Sequence, residues 1–453
     1  MAVTTTFIGH RTDGSISPAK SVGFLLGLAA ALVSVRSPIL GNYINISAIL
    51  VLCAFFVSVF HSSRGTVRSL TVTPIDVLSI VFLSARAIAE LVNSTYLGMP
   101  FSSTTLMDGL LAYVAFISAR LVISGTDEAV AFLRNLTAPA VLVALIAILQ
   151  IAGMPGINEL LVAHVNSGGL VNRLDGGWAI RATSTIGHWT ALGGYLCVAI
   201  AARCVVMLRT STPSRVDWTV VTILVVGQLA TLTFATIAVT VATLITILLL
   251  KRVSLFRVGS LLVGLLFLWL MSGSLLTERI EKQAQGSASL GEAYSWLPES
   301  VGFRVNIWVT ETIPAIADRP LVGWGIAAYR FLGTGRVPDS LRWISPESEW
   351  MRTAISSGVI VLAIQVALLF FVWRMFKRSQ DVFGPRMLLP VMTMYVGLIV
   401  ISTIHSHFSN RGVPLILWPL IGVVTALSCK NSTLVGSTKD SNSSDEEKWV
   451  VNV

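Results

Sequence analysis

Two carboxylates two positions apart, Glu347 and Glu349, stand at the head of an apolar run that begins near Trp350. Arginines crowd the polar stretches on either side: Arg173 and Arg181, then Arg279, Arg304, Arg319, Arg330, Arg336 and Arg342, then Arg352, and finally Arg411 beside His405 and His407. Guanidinium forks grip phosphate oxygens bidentately. A carboxylate at the mouth of a membrane helix has two uses. It caps the helix, stabilised by the macrodipole, or it serves as a general base toward a hydroxyl. Both readings stand for Glu347. Glu349 and Arg352 are i, i+3 neighbours, a spacing that pairs them on one helix face and keeps the acid ionised. Solvation or pairing with Glu278, Glu281, Glu292 and Asp318 accounts for most of the arginines taken singly.

The elements that must position these groups are membrane helices. Charged residues make up 12% of the 453 and apolar residues 54%, and the mean hydropathy is +0.77. A water-soluble domain carries roughly 25% charged residues. Apolar runs long enough to cross a bilayer core of about 30 Å recur along nearly the whole chain. We expect an all-α polytopic membrane protein of about 12 transmembrane helices. A polar N-terminal tail covers residues 1–20, a membrane domain 21–429, and a disordered tail 430–453. The apolar stretch 218–250 is read as two short helices, because one helix of that length would span about 50 Å. Runs at 258–276 and 350–373 are each read as one span.

Placing the N-terminus in the cytoplasm puts Arg203, Arg209, Arg215, Lys251, Arg252, Arg257, Arg374, Lys377, Arg378 and Arg386 on the inner side. The positive-inside rule then accounts for much of the net charge of +9 without nucleic acid. Both termini are expected inside. Two long connections, 153–188 and 277–346, fall outside. Loops of that length are functional or separately folded. The second contains a helix expected from about 298 to 317, begun by Pro298, kinked by Pro314 and ended at Asp318-Arg319-Pro320. Arg304, Trp308 and Glu311 share one face of it.

Two intramembrane features have local readings. Arg86 and Glu90, at i, i+4 in one span, are read as a self-neutralising pair near the outer interface. Thr231, Thr233, Thr236 and Thr240 are read as bonding back to their own helices. No phosphate loop, dinucleotide-binding glycine motif, HExxH or Cys/His cluster is present. No metal site and no cofactor are expected. The four cysteines, Cys53, Cys197, Cys204 and Cys429, lie in or at the ends of apolar runs and form no disulfide framework.

The stretches Gly302-Phe303-Arg304-Val305-Asn306-Ile307-Trp308, Asp318-Arg319-Pro320-Leu321-Val322-Gly323-Trp324-Gly325 and Pro346-Glu347-Ser348-Glu349-Trp350, followed by Ser357-Gly358-Val359-Ile360, form a recognisable series. Together with Arg181-Ala182-Thr183-Ser184-Thr185-Ile186-Gly187-His188 they resemble the O-antigen ligase and Wzy polymerase family of bacterial membrane glycosyltransferases. The resemblance implies a substrate, a glycan on undecaprenyl diphosphate at the outer face of the cytoplasmic (inner) membrane, and a glycan acceptor. The diphosphate is itself the activated leaving group. Arg181 and Arg304 match the family arginines that engage the diphosphate. Glu347-Ser348 stands where the ligases usually have His-Asn, a departure that favours polymerisation of surface-polysaccharide repeat units, or transfer to another acceptor, over ligation of the usual kind.

These implications assemble into an expected site: Arg181 and Arg304 against the leaving group, Glu347 or else Glu349 as base, Arg342, Arg352 and Arg411 as added positive field, and Trp308 for sugar stacking or packing. The alternatives are ligase-type transfer to a lipid or protein acceptor, and transport of the same lipid-linked glycan. Expected partners are membrane lipid, chain-length regulators and polysaccharide export proteins.

Overall fold

The structure is a computed structural model that describes residues 17–36, 45–64, 71–210, 213–250, 277, 299–384 and 386–443. The expected span at 258–276 and the start of the second loop lie outside these residues. Among the described residues the fold is entirely helical, apart from a single bridge between Val35 and Val165.

The helices are α1 Pro18–Ala31, α2 Ile46–Arg64, α3 Pro74–Leu97, α4 Ser103–Val122, α5 Thr126–Leu136 and α6 Ala138–Ile151. The first long loop carries α7 Ile157–His164 and α8 Gly168–Asp175, and the bundle resumes with α9 Trp189–Arg209, α10 Arg215–Ala230 and α11 Phe234–Leu250. The second loop carries α12 Glu299–Ile307 and α13 Ile313–Asp318, joined by a π-helical turn at Trp308–Thr312. After it come α14 Glu349–Ser357, α15 Val359–Phe383, α16 Leu389–Ile401 and α17 Val413–Ser443. Five stretches among the described residues are long and apolar enough to cross a membrane: Ile46–Ser63, Thr105–Val122, Thr126–Ile151, Trp189–Arg209 and Val359–Gln380. The expected tail from Lys430 overlaps α17 as far as Ser443.

Residues 218–250 do form two helices, turning at 231–233. The expected single span at 350–373 is broken at Gly358. Its φ of 87° is ready access only for glycine. The last carbonyls of α14 turn outward instead of continuing the ladder: Trp324 N–H donates to Ile355 O at 2.7 Å and Gly325 N–H to Ser356 O at 3.0 Å. In return Val359 N–H donates to Pro320 O at 2.7 Å. The Pro320–Gly325 segment is thus sewn to the α14–α15 junction. The expected kink at Pro314 takes the form of the π turn just before it. Proline offers no N–H to the carbonyl four residues back, and the wide turn absorbs that gap.

Helix α9 is the hub. Protein covers 94% of its apolar window, and α5, α10, α11, α16 and α17 pack round it. Small residues make the approach possible: a Cβ on Gly193 would meet Thr236 Oγ1 at 2.5 Å. Gly23 and Gly27, a small-xxx-small pair on α1, lie against the backbone of Phe132 and Leu136 on α5 in the same manner.

One end of the bundle is closed by two ion pairs built on capping boxes. Thr73 and Asp76 cap α3, and Asp76 also takes Arg120 Nη1 at 2.6 Å. Ser214 and Asp217 cap α10, and Asp217 also takes Arg203. At the opposite end the loops are stitched to one another. Asn166 N–H donates to Ser34 O at 2.8 Å, Arg36 N–H to His164 O at 2.7 Å, and Glu349 N–H to Ser402 O at 2.9 Å. The candidate site lies at this loop-bearing end.

Candidate active site

Glu347 is held by its backbone on three sides. Trp308 Nε1–H donates to Pro346 O at 2.6 Å. Glu347 N–H donates to Ser345 Oγ at 3.2 Å. Ser348 is extended, and the next amide, of Glu349, is bound to Ser402 O. Between these anchors Glu347 adopts φ +50°, in the left-handed region. Such a conformation in a non-glycine residue costs of order 1–3 kcal/mol and persists only where the surroundings fix it. It aims the carboxylate at Arg304 Nη2, 3.6 Å from Oε2, and at His405 Nε2, 3.9 Å from the same oxygen.

Arg304 also donates from Nη1 to Ser300 O, one turn back on α12, and its buried Nε has no hydrogen-bond partner. Burial pushes the guanidinium below its ordinary pKa, and the neighbouring Glu347 opposes that drift. His405 Nδ1 lies 3.3 Å from Ser406 O. A carbonyl only accepts, so Nδ1 carries the proton and Nε2 faces Glu347 with its lone pair. Burial lowers the pKa of His405 while Glu347 raises it, with the net shift downward.

The chain has six histidines, and three of them meet here. His188 lies 6.0 Å from His405, ring to ring, and His405 lies 5.6 Å from His407. Burial drives His188 and His407 each down to about 3, helped by their charged and titratable neighbours. Apart from its noted place beside Arg411, sequence reasoning missed this cluster. The available signal was histidine itself, rare elsewhere in the chain.

Arg181 is buried, and its guanidinium is a clamp. Nε donates to Thr231 O at 3.1 Å, and Nη2 to Leu232 O at 3.1 Å and Thr233 Oγ1 at 2.8 Å. It closes the α10–α11 turn, where Leu232 sits at φ +48°. The threonines read as serving only their own helices therefore help to hold an arginine. Its flat face covers the Trp189 ring at 4.8 Å, with Arg173 over the same ring at 4.6 Å. Gln150, at the end of α6, fixes the segment from the other side, its Oε1 accepting from Thr183 N–H at 2.9 Å and Ser184 N–H at 3.1 Å. The charge of Arg181 is felt at His405 and His188.

The other expected residues divide. Glu349 is not beside Arg352 in an ion pair: its Oε1 accepts from Gln365 Nε2 at 3.3 Å and its Oε2 from Ser409 Oγ at 3.0 Å. Extended backbone alone would put residues two apart on one face; the left-handed Glu347, φ +50°, breaks that alternation, and the two carboxylates meet different partners. Arg342 is exposed and gives its backbone N–H, with that of Trp343, to Glu311 Oε2 at 2.9 Å each. Arg352 is exposed. Arg411 Nη1 ties the last turn to Asn166 O at 3.0 Å. Trp308 positions Pro346 through its indole N–H. Arg86 and Glu90 form no close ion pair among the described residues, although the charge of Glu90 acts on Arg86. Glu90 takes the backbone amides of Ser102 at 2.9 Å and Ile326 at 2.8 Å, joining the second loop to α3.

Residues 218–366 match a family model, Wzy_C, described as O-antigen ligase. The resemblance drawn from the sequence is thereby borne out over this stretch. The Wzy_C region contains Arg304, Trp308, Arg342, Glu347, Glu349 and Arg352, and leaves Arg181, His188, His405 and Arg411 to the flanking helices. No curated protein matches the chain.

Proposed function

We propose that this protein is a membrane glycosyltransferase that moves a glycan from a polyprenyl diphosphate to an acceptor hydroxyl at the loop-bearing end of the bundle, the outer face of a bacterial inner membrane. One observation carries the reading: a strained, anchored Glu347 lies between a guanidinium and the bare nitrogen of a histidine. Glu347 takes the proton of the acceptor hydroxyl as its oxygen bonds to the anomeric carbon. The bond from that carbon to the diphosphate oxygen breaks, and the electron pair leaves with the diphosphate. Arg304, with the field of Arg181 behind it, stabilises the charge that develops there. The proton passes from Glu347 by way of His405 Nε2 to an oxygen of the departing diphosphate, which leaves both Glu347 and His405 as they began. The family description implies lipid-linked glycan and acceptor as the two substrates.

Glu347 in place of the ligases' usual histidine supports polymerisation of repeat units as the first reading. The O-antigen ligase description supports transfer to a separate acceptor as the second. Purified protein in proteoliposomes, given a defined polyprenyl-diphosphate oligosaccharide, separates them. A ladder of longer lipid-linked chains is expected. Product only on addition of another acceptor gives the ligase reading. Passage of substrate across the bilayer with no new glycosidic bond overturns both.

A further inference from the structure

The indole expected to meet a sugar, Trp308, is engaged elsewhere: its ring is half-buried and its N–H is bound to Pro346 O. Trp324 is engaged in the same way, with its N–H on Ala315 O at 2.7 Å and the Arg319 guanidinium over its ring at 5.1 Å. Trp343 differs from both. It is 40% exposed, and among the described residues the one tryptophan more open is Trp178, at 63%. It is also fixed from two sides. Its backbone N–H is held by Glu311 Oε2, and its ring meets Phe303 edge to face, with centroids 5.0 Å apart and planes at 86°.

Both fixings lead to the site. Phe303 precedes Arg304 on α12, and Arg304 lies 3.6 Å from Glu347. Trp343 comes shortly before Glu347 in the same loop, with at most about 14 Å of chain between the two. The face of an indole is electron-rich. One face of a pyranose ring presents C–H groups that carry slight positive charge, so ring and indole stack. The hydroxyls round the sugar then need polar neighbours, and the exposed Arg342 is adjacent. Lipid tails ask for the reverse, an apolar surround. Tryptophans that belt a membrane protein gather at both interfaces. Trp218, at the opposite end of the bundle, is only 9% exposed, and Trp373 is half-buried with Lys377 over its ring.

We infer that Trp343 is the stacking platform for the acceptor's sugar, and so a binding and specificity-determining residue for the saccharide that receives the glycan. The inference rests on the transfer reading above and adds to it what holds the acceptor in place. Glu347 takes its proton from the acceptor's hydroxyl, so the sugar beside the Glu347 loop is the acceptor's. The donor's diphosphate belongs with Arg304. A flat indole also discriminates. A sugar face that shows only C–H groups lies down on it, and a face carrying an axial hydroxyl is held off. Trp343 therefore selects acceptors whose sugar has one unobstructed face.

The experiment uses the full chain in nanodiscs and two probes. A donor with its acceptor hydroxyl removed can only give. An oligosaccharide joined to polyprenol through a non-cleavable phosphonate can only receive. Trp343→Ala is expected to raise the acceptor KM about tenfold and leave the donor KM within about twofold, the effect of one lost aromatic contact. Trp343→Phe keeps a flat ring and should recover most of the loss. Trp178→Ala, at the other open indole, should change neither constant. An acceptor KM unmoved in Trp343→Ala, or a rise shared equally with the donor KM or with Trp178→Ala, overturns the assignment. Binding decides the matter without turnover, and covers the case in which Trp343→Ala fails to fold. In protein labelled with fluorotryptophan, the fluorine signal of Trp343 is assigned by its loss in Trp343→Phe and followed as the lipid-free oligosaccharide is added. A shift of that signal is expected. Ile344 beside it is 72% exposed, so the bilayer is the rival occupant. No shift sinks the platform, and broadening by a spin-labelled lipid then makes Trp343 a membrane anchor. A shift without transfer by the wild type removes the enzyme reading and leaves the sugar platform standing.

Discussion

Glu347 and Glu349 are two residues apart and serve opposite sides of one turn: the first lies 3.6 Å from Arg304, while the second accepts from Gln365 and Ser409. Replacing each by glutamine separates their roles. Glu347→Gln is expected to lower kcat by about 10²–10⁴-fold, the usual worth of a general base, with the thermal midpoint lowered only slightly, because the backbone anchors stay and only the 3.6 Å pair with Arg304 is lost. Glu349→Gln is expected to lower the thermal midpoint and leave kcat within about tenfold. Equal kcat losses in the two variants would remove Glu347 from the role of base.

Arg181 predicts a stability effect beyond any catalytic one. Its fork holds two carbonyls and a hydroxyl at the α10–α11 turn, and hydrogen bonds to a charged group are worth about 1.5–3 kcal/mol each in net terms. Arg181→Ala should lose at least about 3 kcal/mol, read as a drop in thermal midpoint and faster proteolysis near residue 231. Arg181→Lys should keep the charge and still lose the fork. A lysine variant as stable as the parent would refute the clamp.

Acid should loosen the loop-bearing end. His188 and His407 are pushed down to about 3 in the fold, against an ordinary value of about 6.5 in the unfolded chain. The unfolded state therefore binds more protons through this window. The stability the two neutral rings confer is complete above about pH 6.5 and is lost as the pH falls toward 3, at up to about 1.4 kcal/mol per pH unit per histidine. Thermal midpoints taken from pH 7 to pH 4.5 should fall steadily. His407→Asn should flatten that slope, and a slope unchanged in this variant would count against it.

The ion pairs at the far end give a contrasting forecast. Asp76 serves both the α3 cap and Arg120. Arg120→Ala leaves the buried carboxylate with its cap but without its counter-charge, at a cost of about 3–5 kcal/mol. Transfer per folded molecule should be unchanged, since the pair lies at the other end of the bundle. A selective loss of turnover in well-folded protein would contradict that separation.

Much of this architecture was legible in the residues. Hydropathy runs gave the helices, because the bilayer demands long apolar segments. Periodicity gave no sign of the break at Gly358, since the apolar pattern crosses it without interruption; the stop comes from the amides of Trp324 and Gly325 and the carbonyl of Pro320, remote in sequence. Arg304 and Glu347 were legible as chemistry-bearing types in a short, recognisable series. The partners of Arg181 were not: two threonines and a leucine in an apolar stretch carry no mark of which arginine they will hold. His405 was hidden for the same reason, because its neighbour Glu347 is close only after α14 to α16 have packed.

Helix α9 passes through a stage in which α10, α11, α16 and α17, four of the helices that pack round it, are not yet made. In the finished protein 94% of its apolar window is covered by other helices, yet its mean hydropathy is 2.0, as high as that of helices facing lipid. The folded state needs close fit and small residues there and has little use for such apolarity. Insertion does: a segment leaves the translocation machinery by partitioning into lipid on its own side chains. The composition of α9 thus answers to the moment of membrane entry, and its glycines and alanines to the assembly that follows.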